Sequence, residues 1–466
     1  MLFSSLPFLY YFLPAALIIY FISPQRLKNT CLVLISLVFY GWGEPEYVLL
    51  MMFSILAGWV SGLLLEKFKG KRPEKPILIL STAVSLSFLF VFKYADFTID
   101  NLNRLFGLGI PLLKLTLPIG ISFYTFQIIS YIVDVYRGQA AAQHNIINLA
   151  AYVSLFPQLI AGPIVRYPDV EKGLRHREQS FENFALGMRR FILGLGKKIL
   201  IANLLGELCV TFKASGDKSV LFHWIYALSF SLHIYYDFSG YSDMAIGLGR
   251  VFGFKFPENF NYPYMSRSVT EFWRRWHISL GSWFRDYVYI PMGGNRVSRG
   301  RWFINIFTVW LLTGFWHGAD WNFVVWGLYF AVLLVLEKLV LLKYIDKSKI
   351  LSRIYLIFTV MVSFVIFDSS SMGEAVKNIG GLFGAGGIPL SSKEAVYYLK
   401  DSAVILLIAV SGTGPWLKNF CLKLGERPRG AVVRDLAEPV VLIGLMLLMT
   451  AFLVDGSFNP FLYFRF

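Results

Sequence analysis

Two histidines, His277 and His317, each directly follow a tryptophan, in Trp276-His277 and Trp316-His317. Imidazole is the side chain best suited to take a proton from a hydroxyl near neutral pH, so general-base catalysis is the first chemistry to weigh. A metal site is the alternative. Neither histidine has a Cys, His or Glu at i+4, and no His-Glu-x-x-His occurs, so no metal ligand set is expected. The chain carries neither a Gly-x-Ser-x-Gly elbow nor a phosphate loop. Four arginines, Arg267, Arg274, Arg275 and Arg285, crowd the approach to His277, and Gly318 follows His317, where a bare backbone would let a substrate come close.

The elements that hold these residues are apolar. Of 466 residues, 56% are hydrophobic and only 16% charged, with a mean hydropathy of +0.57. A soluble domain would carry about a quarter charged residues. The net charge of +15 falls between apolar runs rather than in a nucleic-acid motif, which is the loop pattern of a membrane protein and leaves nucleic acid out. Cys31, Cys209 and Cys421 are scattered and form no disulfide framework. Apolar runs fall near 6–23, 31–42, 47–65, 76–93, 117–135, 147–165, 186–211, 219–236, 302–316, 321–342, 354–367, 402–416 and 437–454. Several are too short to cross ~30 Å of hydrocarbon, so about eleven true crossings are expected, with the rest re-entrant or broken. The first run lacks a basic flank and reads as a retained helix rather than a cleaved signal.

Basic loops follow the first, third, tenth and twelfth runs, around Arg26, Lys67–Lys75, Lys343–Arg353 and Lys418–Arg434. Placing them inside puts both termini outside. The chain then reads as one polytopic all-α domain over 1–466, with an extracytoplasmic tail at 455–466. His317 sits at the turn between a rising run, 302–316, and a descending one, 321–342. The rise covers only ~22 Å, so the turn stops inside the bilayer, where an ionisable group is a functional candidate. The plainer reading is a cap on a buried hairpin. Taken as one helix, 270–288 places Trp273, Trp276, Leu280, Trp283, Phe284 and Tyr287 on one face, and Glu271, Arg274, Ser282 and Arg285 on the other. This predicts an interfacial amphipathic helix with His277 turned inward, where the helix by itself favours a packed, hydrogen-bonded histidine over a functional one. Asp237 and Asp243 read as closing hydrogen-bond networks between helices.

Five ordered motifs carry a resemblance: Pro118–Phe123, Phe156–Pro163, Tyr235–Met244, Phe272–His277 and Trp316–Gly318. Through them nearly the whole chain resembles the membrane-bound O-acyltransferases, in the bacterial branch of the alginate O-acetyltransferase membrane subunit and the teichoic-acid D-alanylation membrane protein. The resemblance implies a ring of helices around a thin centre, a core at about 90–345, and a channel reaching the histidine from both sides. It maps the family's catalytic histidine onto His317. His277 takes the place where animal relatives usually carry asparagine, a supporting polar role. It implies an acetyl donor, acetyl-CoA or another acyl thioester, with no cofactor otherwise, and a polysaccharide acceptor outside the bacterial inner membrane. A secreted or membrane-anchored acetyltransferase would be the partner. Arg267, Arg274, Arg275 and Arg285 would meet the donor's phosphates, or serve only as positive-inside charge. The tail, Asn459–Phe466, resembles the aromatic-Tyr-aromatic motif of the small D-alanylation partner peptide, which makes Tyr463 an acyl-carrier candidate; an aromatic interface anchor is the other reading. A transporter without catalysis, or a scaffold for a secreted enzyme, are the rival classes.

Overall fold

The computed structural model describes residues 2–160, 162–345, 347–426 and 428–456. Tyr463 and the motif Asn459–Phe466 lie outside them. Every regular element among the described residues is helical. They group into two compact units, Met1–Phe191 with Ser242–Glu258, and Ile192–Tyr241 with Asn259–Phe466.

In the first unit, helices Val48–Lys67 and Ile121–Arg137 pack through glycine. A Cβ on Gly58 would fall 2.9 Å from Ile128 Cγ2, and one on Gly62 2.4 Å from the Tyr131 hydroxyl. Small residues let apolar helices approach where no hydrophobic effect drives them together. Gly120 opens Ile121–Arg137 at φ +78°, with the Leu159 carbonyl where a Cβ would stand, which accounts physically for the glycine of Pro118–Phe123. The apolar run 147–165 is broken into Ile146–Ser154 and Phe156–Leu159. Pro157 has no N–H for the ladder and sits at the start of the second piece, the position proline tolerates.

Among the described residues five helices are long and apolar enough to cross a membrane alone: Pro45–Lys67, Glu74–Phe106, Trp321–Ile345, Lys349–Asp368 and Ala431–Asp455. Lys393–Asp401 and Ala403–Gly412, bent by 57°, make a sixth if they form one span. The run 219–236 lies, from Val220 on, within one unbroken 32-residue helix, Val220–Val251.

The second unit is built around a hairpin. Helix Arg299–His317 turns through Gly318, Ala319 and Asp320 into Trp321–Ile345. Asp320 caps the second helix, accepting the Trp321 N–H at 2.5 Å. The two arms touch backbone to backbone: a Cβ on Gly314 would lie 2.4 Å from Phe323 O, and one on Gly327 2.3 Å from Trp310 O. The stretch 270–288 is not one helix. Helix Val269–Trp273 ends, His277 adopts φ +43°, and a second helix runs Ile278–Phe284. The cause is non-local. Asn261 N–H donates to Arg275 O (2.9 Å) and Ile278 N–H to Asn259 O (3.0 Å), so the segment before the break claims backbone groups that a continuous helix would have kept.

Candidate active site

The break at His277 positions its ring. His277 is 1% exposed, and its Nδ1 lies 3.1 Å from Asn259 Oδ1. The same oxygen accepts from the Ser279 backbone N–H (3.3 Å) and the Ser279 hydroxyl (2.9 Å). A backbone N–H can only donate, so the amide oxygen is fixed as acceptor and His277 Nδ1 must donate to it. The neutral ring therefore carries its lone pair on Nε2, which is buried and meets no hydrogen-bond partner among the described residues. Burial pushes this imidazole down to about 3. A ring so reluctant to take a proton is a poor base for a hydroxyl but a good fixed acceptor, because it stays neutral with Nε2 open. Replacing Asn259 with Ala removes the tautomer lock and should lower kcat by roughly tenfold to a hundredfold with KM little changed. Unchanged kcat in that variant would show that the Nδ1 contact does not matter to turnover.

Phe238 packs edge-on against the His277 ring at 4.6 Å. Phe238 belongs to helix Val220–Val251, and its position is set by its neighbour Asp237, whose carboxylate pairs with Lys198 at 2.5 Å. Both charges are buried, at 2% and 1% side-chain exposure. Lys198 lies on a π-helical turn, Lys197–Ala202, and Gly240 allows the close approach, since its Cβ would stand 2.7 Å from Gly194 O. The Tyr235–Met244 motif is thus an aromatic wall with an ionic anchor. Asp243 accepts from Arg190 at 2.7 Å, closing a network as expected for a structural aspartate.

His317, 5% exposed, ends the first arm of the hairpin. Its ring is walled by Trp316 (5.1 Å), Trp326 (5.0 Å) and Phe367 (5.3 Å), each near perpendicular. Trp316 also contacts His277 at 5.9 Å, so one indole touches both imidazoles. The indole N–H of Trp326 is buried without an acceptor among the described residues. The site thus holds an unmet donor in contact with one histidine and an unmet acceptor on the other, the pair that a substrate with both a hydroxyl and a carbonyl would satisfy. The opening expected at Gly318 is filled by the chain itself: a Cβ there would fall 2.2 Å from the Phe323 ring. Glycine is required at 318 by Phe323 packing.

The four arginines differ in their partners. Arg275 pairs with Glu271 at 2.8 Å and donates to Asn261 O; Arg285 pairs with Asp286 at 2.7 Å, and that hydrogen bond raises its pKa. Arg267 and Arg274 are exposed. The start of the arginine-bearing segment is held by Glu337, whose buried carboxylate accepts from Val269 N–H (2.5 Å), Thr270 N–H (2.9 Å) and the Thr270 hydroxyl (2.7 Å). Sequence periodicity pointed to neither Glu337 nor Asn259. Among the described residues no group of three His, Cys, Asp or Glu is arranged to hold a metal.

A family model for the membrane-bound O-acyltransferases matches residues 136–368, which include both histidines and the hairpin. The chain is 37% identical to the probable alginate O-acetylase AlgI of Azotobacter vinelandii, covering 100% of each. It is 32% identical to the peptidoglycan O-acetyltransferase of Helicobacter pylori over 100% of this chain and 98% of that protein. With the teichoic acid D-alanyltransferase of Bacillus subtilis it shares 30% identity over 46% of this chain and 58% of that protein. Whole-length similarity to O-acetylases, the matched family model and several helices apolar enough to cross a membrane lead to one assignment: the chain belongs to the membrane-bound O-acyltransferase family and is a multi-pass membrane O-acyltransferase.

Proposed function

We propose that the chain moves an acetyl group from a cytoplasmic thioester, acetyl-CoA, to hydroxyls of a polysaccharide outside the bacterial inner membrane. The reading takes the chain as one domain of about eleven crossings ringing a channel, with both termini outside. The observation that carries it is the pair of buried histidines joined through Trp316, in a chain similar from end to end to proteins named for polysaccharide O-acetylation. His317 acts as base. It takes the proton of the acceptor hydroxyl as that oxygen attacks the thioester carbonyl; the C–S bond breaks, and the proton passes to the departing thiolate. His277 Nε2 accepts the hydroxyl's hydrogen bond as the acceptor docks, the O–H then turns to His317 for the attack, and Trp326 N–H faces the carbonyl oxygen on which negative charge develops.

Tyr463 is the first acceptor in this scheme. Its phenol takes the acetyl as an ester, and the tail hands it to a secreted or membrane-anchored acetyltransferase. A phenol with a pKa near ~10 leaves more readily than an alkyl alcohol, so the ester stays activated for the second transfer. Tyr463→Phe keeps the aromatic anchor and removes the hydroxyl. The expected result is polymer acetyl content at background, with the protein present at normal abundance. Normal acetylation by that variant would mean that the acetyl reaches the polymer without Tyr463.

On the donor side, Arg267 and Arg274, both exposed, offer unshared charge to the phosphates of acetyl-CoA, while Arg275 and Arg285 are partly committed to Glu271 and Asp286. Reversing Arg274 and Arg275 to Glu should raise the KM for acetyl-CoA about tenfold, leaving kcat within a factor of two or three. An unchanged KM in correctly inserted protein would assign these charges to topology alone.

A further inference from the structure

Two basic side chains of the first unit, Lys28 buried and Arg177 half-buried, meet one aromatic ring and form no ion pair with an acid among the described residues. Lys28, 4% exposed, sits at the start of helix Lys28–Gly41. Its ammonium donates to Gln179 Oε1 at 2.5 Å and lies 4.7 Å from the Tyr20 ring centre. The Arg177 guanidinium lies 5.5 Å from the same ring and 4.8 Å from that of Phe254. Its Nη2 donates to Asn29 Oδ1, while its Nε is buried without an acceptor. The Tyr20 hydroxyl is already engaged, donating to Phe252 O and accepting from Gln179, both at 2.7 Å. Burial lowers the pKa of both cations, and the charge of Arg177 lowers that of Lys28 further.

The absence of a carboxylate is what sets this pair apart. Among the described residues, neither Lys28 nor Arg177 takes part in an ion pair, whereas buried Lys198 has Asp237 and Arg190 has both Asp243 and Glu258. The carboxylate next in sequence, Glu178, is exposed and faces Lys255 at 3.5 Å. The groups that meet the two cations are neutral amides, the Tyr20 hydroxyl and aromatic rings, with the Cys31 thiol also near both. Neighbouring like charges are disfavoured out of water unless an anion joins them. The site supplies what a phosphate needs: a planar guanidinium fork and a compact ammonium.

We propose that Lys28 and Arg177 form a binding site for a phosphate ester, with Asn29 and Gln179 steering the two cations onto it. Two sources carry that chemistry, the headgroup of an anionic phospholipid and the phosphates of a coenzyme A thioester. The inference does not rest on the acetyl-transfer reading, since it concerns charge that the fold leaves unbalanced.

The test uses the full chain and its Lys28→Gln/Arg177→Gln variant. In one arm, native mass spectrometry counts phosphatidylglycerol retained from phosphatidylcholine nanodiscs doped with that lipid. In the other, equilibrium dialysis measures radiolabelled coenzyme A. Wild type should retain about tenfold more than the variant in one arm, a difference of ~1.4 kcal/mol, and the arm that responds names the source. Equal retention in both arms overturns the proposal. Should the variant fail to fold, wild type alone decides. Inorganic phosphate must displace the bound probe, and displacement no greater than that by an equal ionic strength of chloride overturns the site.

Discussion

Cells carrying His317→Ala should lose polymer acetylation while the protein remains inserted and abundant. Loss of a general base lowers the rate by on the order of a hundredfold to ten-thousandfold. His277, the other imidazole in contact with Trp316, is held neutral down to about 3 and has its Nδ1 proton tied to Asn259. His277→Ala should therefore cost less, through lost orientation of the acceptor rather than lost base strength. The check is acetyl content of the polymer alongside immunoblot abundance in membranes, for both variants. Near-normal acetylation with His317→Ala would end its assignment as base, and equal loss in the two variants with intact folding would make the histidines act as a pair.

The second large effect concerns stability. Lys198 and Asp237 are a buried ion pair, and removing one partner strands a charge at a cost of about 3–5 kcal/mol, a large share of the ~5–15 kcal/mol that holds a typical domain together. Asp237→Leu should leave little protein in the membrane. Lys198→Met together with Asp237→Leu should restore it, because an apolar pair of similar volume replaces an ion pair at little loss. The restored protein then tests position: if the pair sets how Phe238 meets His277 at 4.6 Å, kcat stays low although the protein is abundant. Full abundance of Asp237→Leu alone, measured by fluorescence-detected gel filtration, would remove the anchor from the account.

The hairpin was legible in the sequence because its signals are local. Two apolar runs, a Trp-His-Gly turn with Asp320 as cap, and basic flanks specify helix, turn and helix without reference to the rest of the chain. His277 was readable as buried, but its helix was not. Periodicity over 270–288 fits an unbroken amphipathic helix, and what breaks it is pairing with Asn259 and Asn261, whose partners no local pattern reveals. Lys198 did leave a trace. A lysine inside the apolar run 186–211 needs a buried acid, and Asp237, immediately after the run 219–236, is one of the few acids beside an apolar run. The bends at Pro157 and between Asp401 and Ala403 divide runs that hydropathy alone joins or truncates, so apolar length gave the places of the helices better than their continuity.

The left-handed backbone of His277 separates two demands that usually travel together. At φ +43°, most side chains are strained, β-branched ones most of all, while glycine, asparagine and aspartate sit there with little penalty. The position thus filters first by shape and only then by function. Asparagine passes that filter, so the imidazole at this point can be exchanged for an amide with the surrounding chain left as it is. A lineage could in this way change the chemistry offered beside His317 in a single step, without passing through a misfolded intermediate.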